Sequence, residues 1–153
     1  MKSNQAKSCR STPMATTLKS RRLRRLAILA SGSVIALLVA GVVAVSLVIG
    51  ADIRAVSRVA VEQHGGETVE ALLACVDDPS QSLVERNRAI WALGQLGDPR
   101  ALPVLLRHYS GQTCDHANGL CQRELQKAIK LTKGGVNITA LIWRPSSIRW
   151  WKS

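Results

Sequence analysis

The sequence predicts an all-α protein in which a single transmembrane helix is followed by a short α-solenoid of about two helix pairs. Three observations predict it. Leu26 to Gly50 is an apolar run without a charged residue, apolar residues recur at helical spacing from Val69 to Tyr109, and the second region repeats its own pattern after 33 residues. Within 153 residues this gives a basic cytoplasmic arm (1–25), a transmembrane signal anchor (26–50), a juxtamembrane helix (51–66), helical repeats (67–135) and a Trp-containing basic tail (136–153).

The anchor follows from length and composition. About 20 apolar residues at 1.5 Å rise cross the hydrocarbon core, where a helix satisfies its own backbone hydrogen bonds. Lys2, Lys7, Arg10, Lys19, Arg21, Arg22, Arg24 and Arg25 precede the run with no Asp or Glu among them, whereas Asp52, Arg54 and Arg58 follow it. The positive-inside rule, carried above all by Arg21, Arg22, Arg24 and Arg25, then keeps the N-terminus in the cytoplasm and exports the rest. The expected location is a bacterial inner membrane, crossed once. Ala44-Val45-Ser46 also offers the small residues of a signal-peptidase site, but the apolar run outlasts the roughly 7 to 15 residues of a cleaved signal, so a retained anchor is expected.

The net charge of +11 is unevenly placed. Eight positive charges lie in the arm and three in the tail (Arg144, Arg149, Lys152), leaving ten basic and ten acidic side chains that cancel between them. A DNA-binding stripe on the folded region is therefore unsupported and no nucleic-acid partner is expected. The arm suits anionic lipid headgroups, where each Lys or Arg contributes on the order of 1 kcal/mol. Within the span, Gly32, Ala36, Ala40 and Ala44 recur every fourth residue. Such small-residue stripes let helices approach closely in lipid, which makes a homodimer one expected use of the anchor.

Beyond the span, Ile53, Val56, Val59 and Ala60 extend helical spacing to Gly65-Gly66, which stops it. A second helix is expected from Glu67 to Asp77 with Val69, Leu72, Leu73 and Val76 on one face, ended by Asp78-Pro79-Ser80. Ser82-Leu-Val-Glu85 has capping-box form and starts a third near Leu83, whose apolar residues Ala89, Ile90, Leu93 and Leu96 lead to Gly97. Asp98-Pro99 then restarts a fourth directly, Asp as a cap worth about 1 kcal/mol and Pro at the first helical position. Leu102, Leu105, Leu106 and Tyr109 are its expected buried face, and a fifth helix is expected over about 119–133.

Val69-Glu-Ala-Leu-Leu-Ala-Cys-Val76 overlays Leu102-Pro-Val-Leu-Leu-Arg-His-Tyr109 with the apolar positions in register. Two helices per unit at such a period indicate a helical solenoid. The run Arg88-Ala-Ile-Trp-Ala-Leu-Gly-Gln-Leu-Gly-Asp-Pro-Arg-Ala-Leu-Pro-Val-Leu-Leu106 resembles a HEAT-like repeat of the phycobilisome lyase type. The resemblance is specific over that one unit, weak over the flanking helices, and absent from arm, span and tail. It implies a HEAT-like α-solenoid with a protein-binding role and an unidentified protein partner. It does not carry lyase chemistry, because two helix pairs are too small for a pigment pocket. Solenoids usually need three or more units to bury their open faces, so the missing cover is expected from a disulfide, the tail or a second subunit.

Cys114 and Cys121 bracket a Gly-containing loop and are disulfide candidates in an oxidising compartment, worth on the order of 2 kcal/mol. Cys75 remains open as a buried thiol, an alternative partner or an intermolecular bridge. A competing reading gathers His108, Cys114, His116 and Cys121 into a metal-binding or enzymatic site, but their spacing matches no established zinc pattern. His64 reads as a helix-end residue, Asp77 and Asp78 as a turn, and Trp91 as packing between helices. No phosphate loop, carboxylate pair or triad appears, so no catalytic, cofactor-binding or metal residue is assigned and no enzyme is expected. Val136 to Trp143 is β-branched and expected to be extended, with Asn137-Ile-Thr139 a glycosylation sequon in form only. Trp143, Trp150 and Trp151 suit either the membrane interface or an open end of the solenoid. The remaining alternative is a structural subunit of a membrane complex that uses the small-residue stripe.

Overall fold

The computed structural model of the protein describes residues 14–115 and 117–144, with side-chain environments from Ile28 onward except Ala30. Most of the described residues are helical, with no strand among them. Helix α1 (Met14–His64) is followed by α2 (Thr68–Asp77), α3 (Leu83–Leu96), a 3-10 turn (Pro99–Ala101), α4 (Leu102–His108), α5 (Gln122–Thr132) and α6 (Ala140–Trp143). The chain divides into two compact units, Met1–Gly41 and Val42–Ser153.

In the first unit the described residues lie within α1. Their large apolar side chains stay uncovered: Ile28, Leu29, Val34, Ile35, Leu37 and Leu38 are each more than half exposed. Ser31 turns its hydroxyl back to the Ile28 carbonyl (3.0 Å), which keeps a polar group satisfied inside an apolar surface. The basic arm reaches the described residues only as helical backbone from Met14 onward, and the rest of it lies outside them.

The second unit holds the core. Its part of α1 contributes Ile53 and Ala60, with Ile49, Val56 and Val61 packed alongside, before Gly65 and Gly66 end the helix at φ 71° and 77°. Helix α2 buries Leu72 and Val76, α3 buries Ile90 and Leu93, α4 buries Leu105, and α5 buries Leu125 and Ala128. Helix α3 is the centre of the stack, packed against α2 on one side and α5 on the other, while α4 packs on α5. Part of the cover that two helix pairs lack comes from α1, which supplies a further helix ahead of α2, and part from the tail, where Ala140 is buried and Trp143 packs against the same cluster. Cys75, at 5% exposure, belongs to this core and not to a surface.

The capping box is present in full: Ser82 Oγ accepts from the Glu85 amide (3.2 Å) and the Glu85 carboxylate accepts from the Ser82 amide (3.1 Å). Gly97 closes α3 in the left-handed region at φ 63°, its N–H donating to Leu93 O at 2.9 Å. The next helix restarts directly after its cap Asp98 with Pro99 at the first position, but it opens as a 3-10 turn. Pro103 has no N–H to donate to the Pro99 carbonyl, so the Leu102 N–H takes that carbonyl instead and a turn of 3-10 helix precedes α4. On α4 Leu105 is buried whereas Leu106 is 44% exposed, so Leu106 is not part of the buried face.

Two further expectations are corrected. Helix α5 begins at Gln122, not near Gly119, because Cys121 is its cap and donates its N–H to Asn87 Oδ1 on α3 (2.8 Å). The segment expected to be extended over 136–143 ends as the helical turn α6. Asn137 Oδ1 accepts from Thr139 Oγ1 (2.8 Å) and the Ala140 N–H (3.2 Å), while its amide donates to Gln95 Oε1 (2.7 Å). With no strand beside it among the described residues, this segment satisfies its backbone by turning.

Close approaches fix the packing at two glycines. A Cβ on Gly94 of α3 would stand 2.7 Å from Ala128 Cα and 2.9 Å from Ala128 Cβ on α5. A Cβ on Gly50 would meet Trp143 Cβ at 2.7 Å, so α6 lies directly against α1. Ser46, one turn before Gly50, is fully buried and donates to Val42 O at 2.7 Å.

Candidate functional site

A recess with a distinct charge lies along α3 and α5, over the place where Gly94 meets Ala128. It encloses about 710 Å³. Its wall is apolar at Trp91, Leu131 and Val136, and its rim is basic at Arg88, Lys127 and Lys130. Glu124 is the acidic residue there, and Lys127 is paired to it (2.9 Å). Lys130 is exposed, and Val136 is 87% exposed. Trp91 is half-buried against the core, as its sequence position suggests, but one side of it forms the groove wall. An apolar strip with a basic rim can hold a polypeptide through buried area and charge; it offers no nucleophile–base pair.

A second recess, of about 810 Å³, lies between α1 and the loops that start α2 and α4, and its charges balance: Arg54, Arg58 and Arg100 against Glu62, Glu67 and Asp98. Arg100 bridges the two helical repeats. It donates to Glu67 at 2.8 and 3.1 Å and to the buried Asp98 carboxylate at 2.8 to 3.2 Å, joining positions 33 residues apart. Hydrogen bonds from Arg100, reinforced by its charge, hold the Glu67 carboxyl below the usual range. Asp77 forms a second bridge between the repeats, paired with Arg107 and with His108 Nε2 (2.7 Å). Burial alone would raise its carboxyl, but the hydrogen bonds from Arg107 and His108 bring it below the ordinary value.

Asp98 therefore does more than cap a helix. It is 2% exposed, accepts the Arg100 N–H at 2.9 Å and is ion-paired as well. Asp98→Ala should cost about 1.5 to 3 kcal/mol in chemical denaturation, more than the roughly 1 kcal/mol of an exposed cap, because a buried carboxylate is lost together with its charge-assisted hydrogen bonds to Arg100. Asp98→Asn keeps the cap acceptor and should recover part of the loss. Equal midpoints for wild type and both variants would contradict this.

Cys114 and Cys121 are brought together, Sγ to Sγ 2.8 Å, as free thiols. His108 is turned to Asp77, and His116 lies outside the described residues. Among the described residues no three metal-ligating side chains converge. Gly32, Ala36, Ala40 and Ala44 are all exposed on α1. Arg21, Arg22, Arg24 and Arg25 lie in α1, their side chains outside the described residues. Nothing in the sequence singles out the groove residues Arg88, Lys127 and Lys130; an isolated Gly94 inside a helical pattern is the one available signal of a close approach.

Residues 85–110 match the family described as PBS lyase HEAT-like repeat. No curated protein and no solved structure matches the chain. Such a repeat indicates an interaction or structural role and is typically non-catalytic, and the matched segment is the pair formed by α3 and α4 with the 3-10 turn between them. The chain thus contains one segment similar to a HEAT-like repeat, and one helix near its N-terminus is long and apolar enough to cross a membrane.

Proposed function

We propose that the protein is a single-pass, membrane-anchored docking platform that presents its HEAT-like stack on the extracytoplasmic side of a bacterial inner membrane. The observation that carries the reading is the uncovered apolar surface of α1 from Ile28 to Val48. Twenty residues at 1.5 Å rise make about 30 Å, the thickness of a hydrocarbon core, and soluble proteins rarely leave so large an apolar surface in water. Only 11% of the apolar stretch is buried, unlike the core helix of a soluble protein. Leu141 and Ile142 of α6, exposed beside Trp143, suit the lipid surface near the end of that run.

The partner that fits the groove of α3 and α5 is a polypeptide segment carrying acidic side chains beside apolar ones. Its carboxylates would meet Arg88 and Lys130, and its apolar groups Trp91, Leu131 and Val136. Catalysis and a resident cofactor or metal form no part of the reading. A role as a subunit of a membrane complex, dimerised through Gly32, Ala36, Ala40 and Ala44, is the second reading, favoured by the exposure of that stripe.

One experiment in cells tests these points. A reporter active only outside the cytoplasm, fused after Ser153, should give signal, and neutral replacements of Arg21, Arg22, Arg24 and Arg25 should weaken it. A photo-crosslinker at Val136 should capture a protein and one at Leu106 should not. That crosslink should survive replacement of the span by an unrelated one and disappear in Arg88→Glu/Lys130→Glu. A reporter active only in the cytoplasm would sink the topology, and a crosslink lost with the span alone would favour the membrane-complex reading.

A further inference from the structure

The two thiols of the loop before α5 differ in ways that a purely structural pair does not need. Both line a polar recess of about 670 Å³ beside Tyr109, Gln112 and Arg123. Cys114 is half-buried and its sulfur accepts the backbone N–H of Arg123 (3.1 Å), in the first turn of the 11-residue helix α5. Cys121 is 4% exposed and held from behind, its own N–H tied to Asn87. Between them the Asp115 carboxylate accepts from the Ala117 amide (3.0 Å) and the Asn118 side chain (2.8 Å), and the two sulfurs stand 2.8 Å apart.

We propose that Cys114 and Cys121 form a thiol–disulfide exchange site that takes an accessible disulfide as its substrate, Cys114 being the attacking sulfur and Cys121 the resolving one. The thiolate is the nucleophile in such exchange, and helix N-termini and amide donors favour it. The hydrogen bond from Cys121 and the amide of Arg123 both lower the Cys114 thiol, whereas burial raises Cys121. Cys114 S⁻ attacks one sulfur of the substrate R–S–S–R′, forming a mixed disulfide with R–S and releasing R′–S⁻. Cys121 gives its proton to water and attacks Cys114 Sγ, which forms the Cys114–Cys121 bond and releases R–S⁻. Two electrons and two protons leave the pair, and the substrate disulfide is reduced to two thiols; the reverse sequence oxidises a dithiol. Cys75 takes no part, because burial in the core raises its thiol and closes off access. The site does not depend on the docking reading, since none of its steps uses Arg88, Lys130 or the membrane.

The test uses the full-length chain in detergent with oxidised glutathione as the probe and mass-spectrometric mapping of each cysteine. Wild type should form the Cys114–Cys121 disulfide, with two glutathione thiols released for each such bond once any adduct on Cys9 is counted separately, and excess reduced glutathione should reverse it. Cys121→Ser, and Cys121→Ala as a second variant where serine disturbs the fold, should stop at a glutathione adduct on Cys114. Cys114→Ser should leave Cys121 reacting at least about tenfold more slowly than Cys114 does in Cys121→Ser. Equal rates at the two sulfurs overturn the assignment of roles. A bond that does not form, or that once formed resists every glutathione ratio, overturns the exchange site and leaves at most a structural link.

Discussion

Leu93→Ala and Leu105→Ala are each expected to destabilise the protein by about 2 to 5 kcal/mol, the range for emptying a fully enclosed leucine site. Both side chains are completely buried, one in the last turn of α3 and the other on α4, and both join the same apolar cluster. The loss is a large part of what a small domain holds, since net stabilities run to about 5 to 15 kcal/mol. Leu106→Ala is the internal control. It removes the same atoms from a side chain 44% exposed, so its effect should stay below about 1 kcal/mol. Urea denaturation of the full-length chain in detergent, followed by far-ultraviolet circular dichroism, would report all three. Similar midpoints for Leu105→Ala and Leu106→Ala would mean that α4 is rotated from the orientation described.

The second large effect is expected at Gly94. Replacing a helical glycine by alanine ordinarily stabilises by about 1 kcal/mol through backbone entropy. Here the added carbon would stand 2.7 Å from a backbone atom of α5, which no rotamer change relieves. Gly94→Ala should therefore destabilise, and Gly94→Val should cost about 3 kcal/mol or more, combining strain with a displaced helix. Ala128→Gly in the same chain should restore part of the loss. It removes the methyl carbon that would stand 2.9 Å from the new side chain but leaves the backbone carbon at 2.7 Å in place. An increase in stability for Gly94→Ala would show that α3 and α5 do not touch there.

The apolar run, the capped start of α3 and its left-handed end at Gly97 were legible because each depends on residues within one turn of each other. Leu72, Val76, Ile90, Leu93 and Leu105 were legible for the related reason that burial follows helical period. What escaped depends on partners distant in sequence. The 3-10 turn, set by Pro103 one turn after Pro99, is the local exception, whereas the late start of α5 needs Asn87, more than thirty residues away. The α6 turn needs Gln95 to receive Asn137. The groove was hidden because Arg88 and Lys130, each an ordinary basic residue on its own helix, become one rim only when Gly94 lets α3 and α5 approach. Asp98 was recognised as a cap, but its burial and its bridge through Arg100 to Glu67 depend on how consecutive repeats stack.

A stack of helix pairs is in principle one-dimensional: each unit leans only on its neighbours, and the ends can melt while the middle persists. The close approach of Gly50 and Trp143 works against this, because it joins the first helix of the second unit to its last described turn. Asn137 and Arg144 reinforce the closure by hydrogen bonding to Gln95 near the end of α3. Neither end is then free to fray on its own, since opening one exposes the other. The short solenoid acquires the all-or-none cooperativity of a closed globule, and a ligand held on α3 and α5 would stabilise the packed part of α1 as much as the helices it touches.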